Sequence, residues 1–150
     1  MTGATPVPHA DLQSLNPLVG TWAVSGDATG RVVYAWMPGG FFLVQHFDLL
    51  HGGRPIRGTE FIGHLHPYGG EPSADLHSRV YSDTDGMTLD YVYELAGDTL
   101  TIWSGGRGSP AFYRGTFGDD GARVTGGWQW PGGGYATEMT RLRPHDDPPA

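Results

Sequence analysis

No cysteine occurs among the 150 residues. Disulfides, thiolate metal sites and a cysteine nucleophile are therefore excluded. The same absence fits a reducing cytoplasm, the compartment expected here. Lysine is missing as well: the nine basic residues are all arginines, set against 16 Asp and Glu, and the formal net charge is −7. The arginines are scattered. Nucleic acids and anionic membranes are bound largely through basic clusters, so neither is an expected partner. No apolar run approaches membrane-spanning length. The opening MTGATPVPHADLQSL lacks the basic start and apolar core of a signal peptide.

What the chain does contain is turn chemistry and aromatics. There are 25 glycines and 12 prolines, and Phe, Trp and Tyr make up 12%. The length suits one domain with one core. Residues 1–14 and 144–150, rich in Pro and small or polar residues, read as flexible tails around a domain at 15–143. ADLQSLNPL has room for one short helix, stopped before Pro17.

Between Val19 and Arg143 the pattern is strand and turn. SGDATG, MPGG, LHGGRP, PYGGEP, SDTDGM, LAGDTL, SGGRGSP, FGDDGA and WPGGGY recur at even spacing. They supply the positive or fixed φ that tight turns need. The runs between them are rich in Val, Tyr, Phe, Trp and Thr, the residues of strands. About ten strands result, near 20–26, 30–37, 40–50, 54–66, 75–83, 87–96, 99–105, 109–118, 122–130 and 134–143. With no helix between them the connections are hairpins, and an up-and-down sheet of this length loses its two bare edges by closing into a barrel.

Pairing follows from the turns. A Gly97-Asp98 turn sets Leu95 opposite Leu100, Tyr93 opposite Ile102, Glu94 opposite Thr101 and Val92 opposite Trp103. The turn at FGDDGA puts Phe117 near Val124 and Tyr113 near Trp128. Large aromatics thus gather on one side of successive strands. Tyr and Trp in quantity, where a solid core would use Leu, Ile and Val, suggest a lining with polar handles. Gly58, Gly63, Gly115, Gly126 and Gly127 fall inside strands, where glycine marks bulges or sharp bends.

NPLVGTW, Asn16 to Trp22, resembles the Gly-x-Trp signature of lipocalin-type (calycin) barrels. That resemblance implies that Trp22 closes one end of a barrel, with Arg141 or Arg143 of MTRLRP packed over its ring. The chain from about Leu15 to Arg143 also resembles a bacterial family of small lipocalin-like proteins. GGRPIRG, GGEPSAD, DYVYELAGDTLTIW, GSPAFYRGTF and WPGGGY carry the likeness. It implies a fold and a cavity, and no particular activity. Nitrobindin-like haem barrels and fatty-acid-binding barrels are more distantly similar. The first need an axial His near the C-terminal strands, where this chain offers only His145, beyond the last strand. The second need an interior Arg, for which Arg79 and Arg114 are of the right type.

Three sets of residues are candidates for chemistry. His46 and Asp48 share one face of the third strand, and Glu60, His64 and His66 share one face of the fourth. If those faces point inward, they set a base and an acid in an apolar cup, where burial tunes both toward neutral pH. The third strand is apolar on both sides and leaves its parity open. The second set is Gly58-x5-His64-x-His66-x4-Glu71, which matches the first part of the cupin metal motif. His64, His66 and Glu71 are a plausible divalent-metal set. Ser78 stands where that motif has Gly, and its second half is missing. The third is an aromatic pool for ligand contact: Tyr34, Trp36, Tyr91, Tyr93, Trp103, Tyr113, Trp128 and Trp130.

The expectation is a single antiparallel up-and-down β-barrel of about ten strands, lipocalin-like, with a short N-terminal helix. Such a barrel holds one small molecule, here a hydrophobic or aromatic one, oriented by His46, Glu60, His64 and the tyrosines, without a cofactor. The alternative is cofactor-independent isomerase, cyclase or hydratase chemistry with His46, Glu60 and Asp48 as catalytic groups. A metal-dependent cupin-like enzyme is the lesser alternative. A barrel acting as a protein-association module, including a homodimer, stays open.

Overall fold

The computed structural model describes residues 5–143. Ten strands form a closed antiparallel barrel in which each pairs with its sequence neighbours and β1 closes on β10. They are β1 (Gly20–Gly26), β2 (Ala28–Trp36), β3 (Leu43–His51), β4 (Arg54–Gly63), β5 (Leu76–Ser82), β6 (Thr88–Ala96), β7 (Thr99–Ser104), β8 (Phe112–Gly118), β9 (Arg123–Trp130) and β10 (Gly133–Arg141). The up-and-down order follows from the short turns. The Gly97-Asp98 hairpin adopts the expected register at all four pairs, and Phe117–Val124 and Tyr113–Trp128 are also direct partners. The third, fourth, fifth and eighth strands are each shorter than expected by two residues or more. Phe41 and Phe42 lie in the bend before β3, and His64 to His66 lie in the loop after β4.

In-strand glycines let the wall bend. At Gly126 a Cβ would sit 2.0 Å from the Arg114 carbonyl oxygen. Any side chain there would push β8 and β9 apart.

One end of the barrel is stoppered. Helix α1 (Ala10–Gln13) and a 3-10 turn at Asn16–Leu18 cross it. Leu12, Leu15 and Leu18 are driven inward against Trp22, all at most 1% exposed. The segment up to residue 14 is therefore not a tail throughout, because Leu12 belongs to the core cluster. The α-helix stops at Gln13, before Pro17, and Pro17 itself sits within the 3-10 turn, where a missing N–H costs nothing. The Trp22 indole N–H donates to the Leu18 carbonyl at 2.8 Å, and the Arg141 guanidinium lies 4.2 Å from the ring centroid. Arg141 also donates to the carbonyls of Pro17, Val19 and Gly121, tying the stopper to the last strand. A second tie is polar: the two ring nitrogens of His64 face the Ser73 carbonyl at 2.7 Å and the Asp11 carboxylate at 3.0 Å. No helix of the described residues is long and apolar enough to cross a membrane.

Candidate functional site

Inside the barrel, above the stopper, is a cavity of about 600 Å³. Its walls are Val24, Val32, Phe47, Val80, Leu100 and Ile102, with Tyr91, Tyr113, Trp128 and Tyr135 on the way out. Its mouth is framed by the turns after β3, β5 and β9, through His51, Arg54, Asp85, Met87 and Trp130. The two-residue period of each strand makes this division: residues of one parity face the lumen, the others face outward.

A polar belt interrupts the apolar wall on five adjacent strands: Tyr34 on β2, Gln45 on β3, Glu60 on β4, Ser78 on β5 and Tyr93 on β6. Gln45 stands directly between Tyr34 and Glu60 in the register. Glu60 is 3% exposed. Its two oxygens accept from the Tyr93 hydroxyl and the Ser78 hydroxyl, each at 2.7 Å. Tyr93 has a single hydroxyl proton and commits it to Glu60. The Tyr34–Tyr93 contact, at 3.4 Å, is then donated by Tyr34. Tyr34 in turn accepts from the Gln45 amide at 2.9 Å. Every donor in the chain thus points toward the carboxylate.

Burial pushes the Glu60 carboxyl up from 4.5 to about 7, against the opposing effect of the Tyr93 and Ser78 hydrogen bonds. Desolvation, reinforced by the Glu60 charge, raises Tyr34 and Tyr93 far above the ordinary phenol value, so both remain donors. Tyr91, facing the same carboxylate, and Tyr113 are each pushed up to about 12, in both cases first by burial. The Tyr113 hydroxyl is buried without a well-formed hydrogen bond, although Thr137 lies near enough to lower its pKa slightly.

Of the residues expected at the site, Tyr34, Glu60, Tyr91, Tyr93, Tyr113 and Trp128 line the cavity, and Trp130 stands at its mouth. His46 and Asp48 do not. The β3–β4 register pairs Gln45 with Glu60 and His46 with Thr59, so His46 has the opposite parity. It is exposed and bonds the Thr59 hydroxyl at 3.2 Å, while Asp48 pairs with Arg57 on the outer surface. His64 is held at the stopper, outside the lumen. Trp36 also lies at the closed end, where its indole donates to the Asn16 side chain at 2.9 Å. Trp103 pairs with outward-facing Val92 and lies under Arg107.

The metal alternative loses its geometry in the same way. His64 is engaged by Asp11 and Ser73, and His66 turns to the Gly70 carbonyl. Among the described residues no group of three His, Cys, Asp or Glu is arranged to hold a metal ion, and this includes His64, His66 and Glu71. Arg79 bonds Asp90 and Arg114 covers Phe112, both exposed on the outer wall, so neither enters the lumen. His145, the residue considered for haem, lies outside the described residues.

Gln45, Ser78, His51 and Tyr135 join the site without having been expected there. A signal for Gln45 exists in the sequence: the Gly52-Gly53 turn pairs positions 45 and 60, which puts His46 on the other face from Glu60. His51 stacks on Tyr135 at the mouth with ring centroids 4.2 Å apart. No protein-family model matches the chain, and no curated protein is significantly similar to it. The topology of the barrel is compatible with a calycin-like fold.

Proposed function

We propose that the protein binds a small, largely apolar or aromatic molecule in the barrel lumen. The observation that carries this reading is the cavity: about 600 Å³, walled by apolar and aromatic side chains and floored by one satisfied polar cluster at Glu60. Sites for small organic ligands have this size and this ratio of greasy wall to a few placed polar groups. The reading is tested with N-phenyl-1-naphthylamine, a neutral fluorophore that brightens in apolar surroundings. Saturable one-to-one uptake is expected, and Val80→Trp, which fills the lumen beside Glu60, should abolish it with the far-ultraviolet spectrum unchanged. Uptake by the filled variant equal to that of the parent would refute lumen binding.

A second reading uses the same cavity for cofactor-independent acid–base chemistry. It is favoured by a carboxyl that titrates near 7 beside tyrosine hydroxyls that stay protonated. Glu60 would move the proton, and Tyr34 or Tyr93 would stabilise developing negative charge on the substrate oxygen. His46 and Asp48 have no part in it. The reading requires that Glu60→Gln stop turnover of a bound substrate while leaving its affinity within a few-fold. A Glu60→Gln chain that still turned the substrate over would end it.

A further inference from the structure

The belt around Glu60 constrains what kind of molecule can reach the floor of the lumen. The hydroxyls that reach Glu60 are already spent on it. Ser78 and Tyr93 give their protons to the carboxylate, Tyr34 gives its proton to Tyr93, and Gln45 donates to Tyr34. What is left over is acceptor capacity. A carboxylate has about four lone-pair directions, and two of these are in use. A guest that places a donor on Glu60 completes the belt. A guest that places an anion on Glu60 meets a buried acid with no cationic side chain at that depth.

Charge points the same way. Among the described residues that line the cavity, no arginine or histidine lies at the depth of Glu60; Arg54 and His51 belong to the mouth. Arg54 is the first residue of β4 and Glu60 lies six positions further in, roughly 20 Å along the strand. Over that depth the wall presents aromatic faces. Tyr91 and Tyr113 lie 5.6 and 5.7 Å from Trp128, centroid to centroid, and form an aromatic cluster. The negative faces of such rings attract an organic cation. The whole chain, at −7, does so at longer range.

We propose that the lumen selects an organic amine: an apolar or aromatic body carrying one ammonium group, which descends past the Tyr91–Trp128–Tyr113 cluster and donates to Glu60. This deepens the lumen-binding reading and rests on it. The ammonium forms a charge-assisted pair with a carboxylate that is 3% exposed, the setting in which such a bond is strongest. A fatty acid of the same size meets the opposite situation, an unpaired anion beside a carboxylate.

The test, run at about pH 8 where Glu60 is ionised, is a series with one body and three head groups: 4-phenylbutylamine, 4-phenyl-1-butanol and 4-phenylbutyrate, each displacing N-phenyl-1-naphthylamine. The amine is expected to displace the dye at a concentration lower by at least about tenfold than the alcohol, and the carboxylate to be weakest. That order should survive about 0.3 M NaCl, where the net charge is screened over a few ångströms and a buried pair is not. Glu60→Gln should bring the amine level with the alcohol, and Glu60→Asp should give an intermediate ranking. The wild-type ranking needs no variant, so it decides the matter even if a substitution at Glu60 prevents folding.

Equal displacement by all three probes, or a carboxylate that leads, would overturn the amine assignment while leaving lumen binding in place. No uptake of the dye and no binding of any probe by calorimetry would sink the lumen reading and this inference with it. An amine preference unchanged in Glu60→Gln would also overturn it, since the selectivity would then come from elsewhere.

Discussion

Replacing Glu60 by glutamine changes one atom type at the floor of the cavity and should change how stability depends on pH. The carboxyl titrates at 4.5 when solvated and at about 7 in the fold, burial being the main cause. A raised folded value means that the native state holds the proton more tightly than the unfolded chain. Below about pH 4.5 both states are protonated, and the native protein keeps its full stability. Between there and about pH 7 the unfolded chain has released the proton and the native one has not. Stability then falls by up to about 1.4 kcal/mol per pH unit. Above about pH 7 both states are ionised and the loss is complete, at about 3 kcal/mol in all. The amide of the Glu60→Gln chain has no proton to release. Its oxygen can accept from Tyr93, and its N–H can donate to a rotated Ser78 hydroxyl, so the belt can re-form. The measurement is urea unfolding of both proteins at several values between about pH 5 and about pH 8, followed by tryptophan fluorescence. The quantity of interest is the difference between the two proteins, because the histidines and surface carboxylates contribute equally to each. The wild type should lose about 2.5 kcal/mol relative to Glu60→Gln across that window, part of the total having gone below about pH 5. A flat difference, or one that grows in the wild type's favour as pH rises, would show that Glu60 is not a buried carboxyl held neutral by its surroundings.

Leu15→Ala removes a fully buried side chain from the stopper and should cost about 3 kcal/mol, the usual range for such a cavity; a loss under about 1 kcal/mol in urea unfolding would mean that the segment is not packed as described. Arg141→Met keeps most of the stem but loses the guanidinium over Trp22 and its bonds to three carbonyls. A cost of about 2–3 kcal/mol is expected, with faster amide exchange at residues 15–22, and unchanged exchange there would contradict the tie. Tyr113→Phe deletes a buried hydroxyl that lacks a well-formed hydrogen bond. Stability should hold within about 0.5 kcal/mol or rise, and a clear loss in a thermal melt would reveal a partner for that oxygen.

The strands were readable because turn residues and β-formers alternate along this chain with little ambiguity. Gly97-Asp98 forced a register that the fold adopts residue for residue. Trp22 and Arg141 were readable for a different reason, a local signature with a fixed packing consequence. The inward face of β3 was not. Its outer residues Val44 and Leu50 are as apolar as the inner Leu43, Phe47 and Leu49, so hydrophobicity alone does not choose a side. The polar residues lean one way: the outer face carries His46 and the charged Asp48, whereas the inner one carries neutral Gln45 and, at the mouth, His51. Together with the 45–60 pairing, that was enough to separate His46 from Glu60. Ser78 had no such signal. A serine in a strand reads as filler until a carboxylate is found 2.7 Å from its hydroxyl. His64 and His66 were drawn into a metal pattern because spacing along the chain says nothing about where a loop turns its rings, and here each ring is satisfied locally.

The stopper of Leu12, Leu15 and Leu18 makes the barrel a blind tube, and that governs traffic. Among the described residues the open rim is the doorway, so on the lumen-binding reading the order of a guest's parts would be settled on arrival: whatever met Glu60 would have gone in first, and the opposite end would rest among the hairpins at the rim. Girth is then judged along the whole passage, while extra length is tolerated, because a surplus tail simply trails into water. Capture and release share one gate, and substitutions at the rim should alter both rates together, leaving the equilibrium to the residues at the bottom.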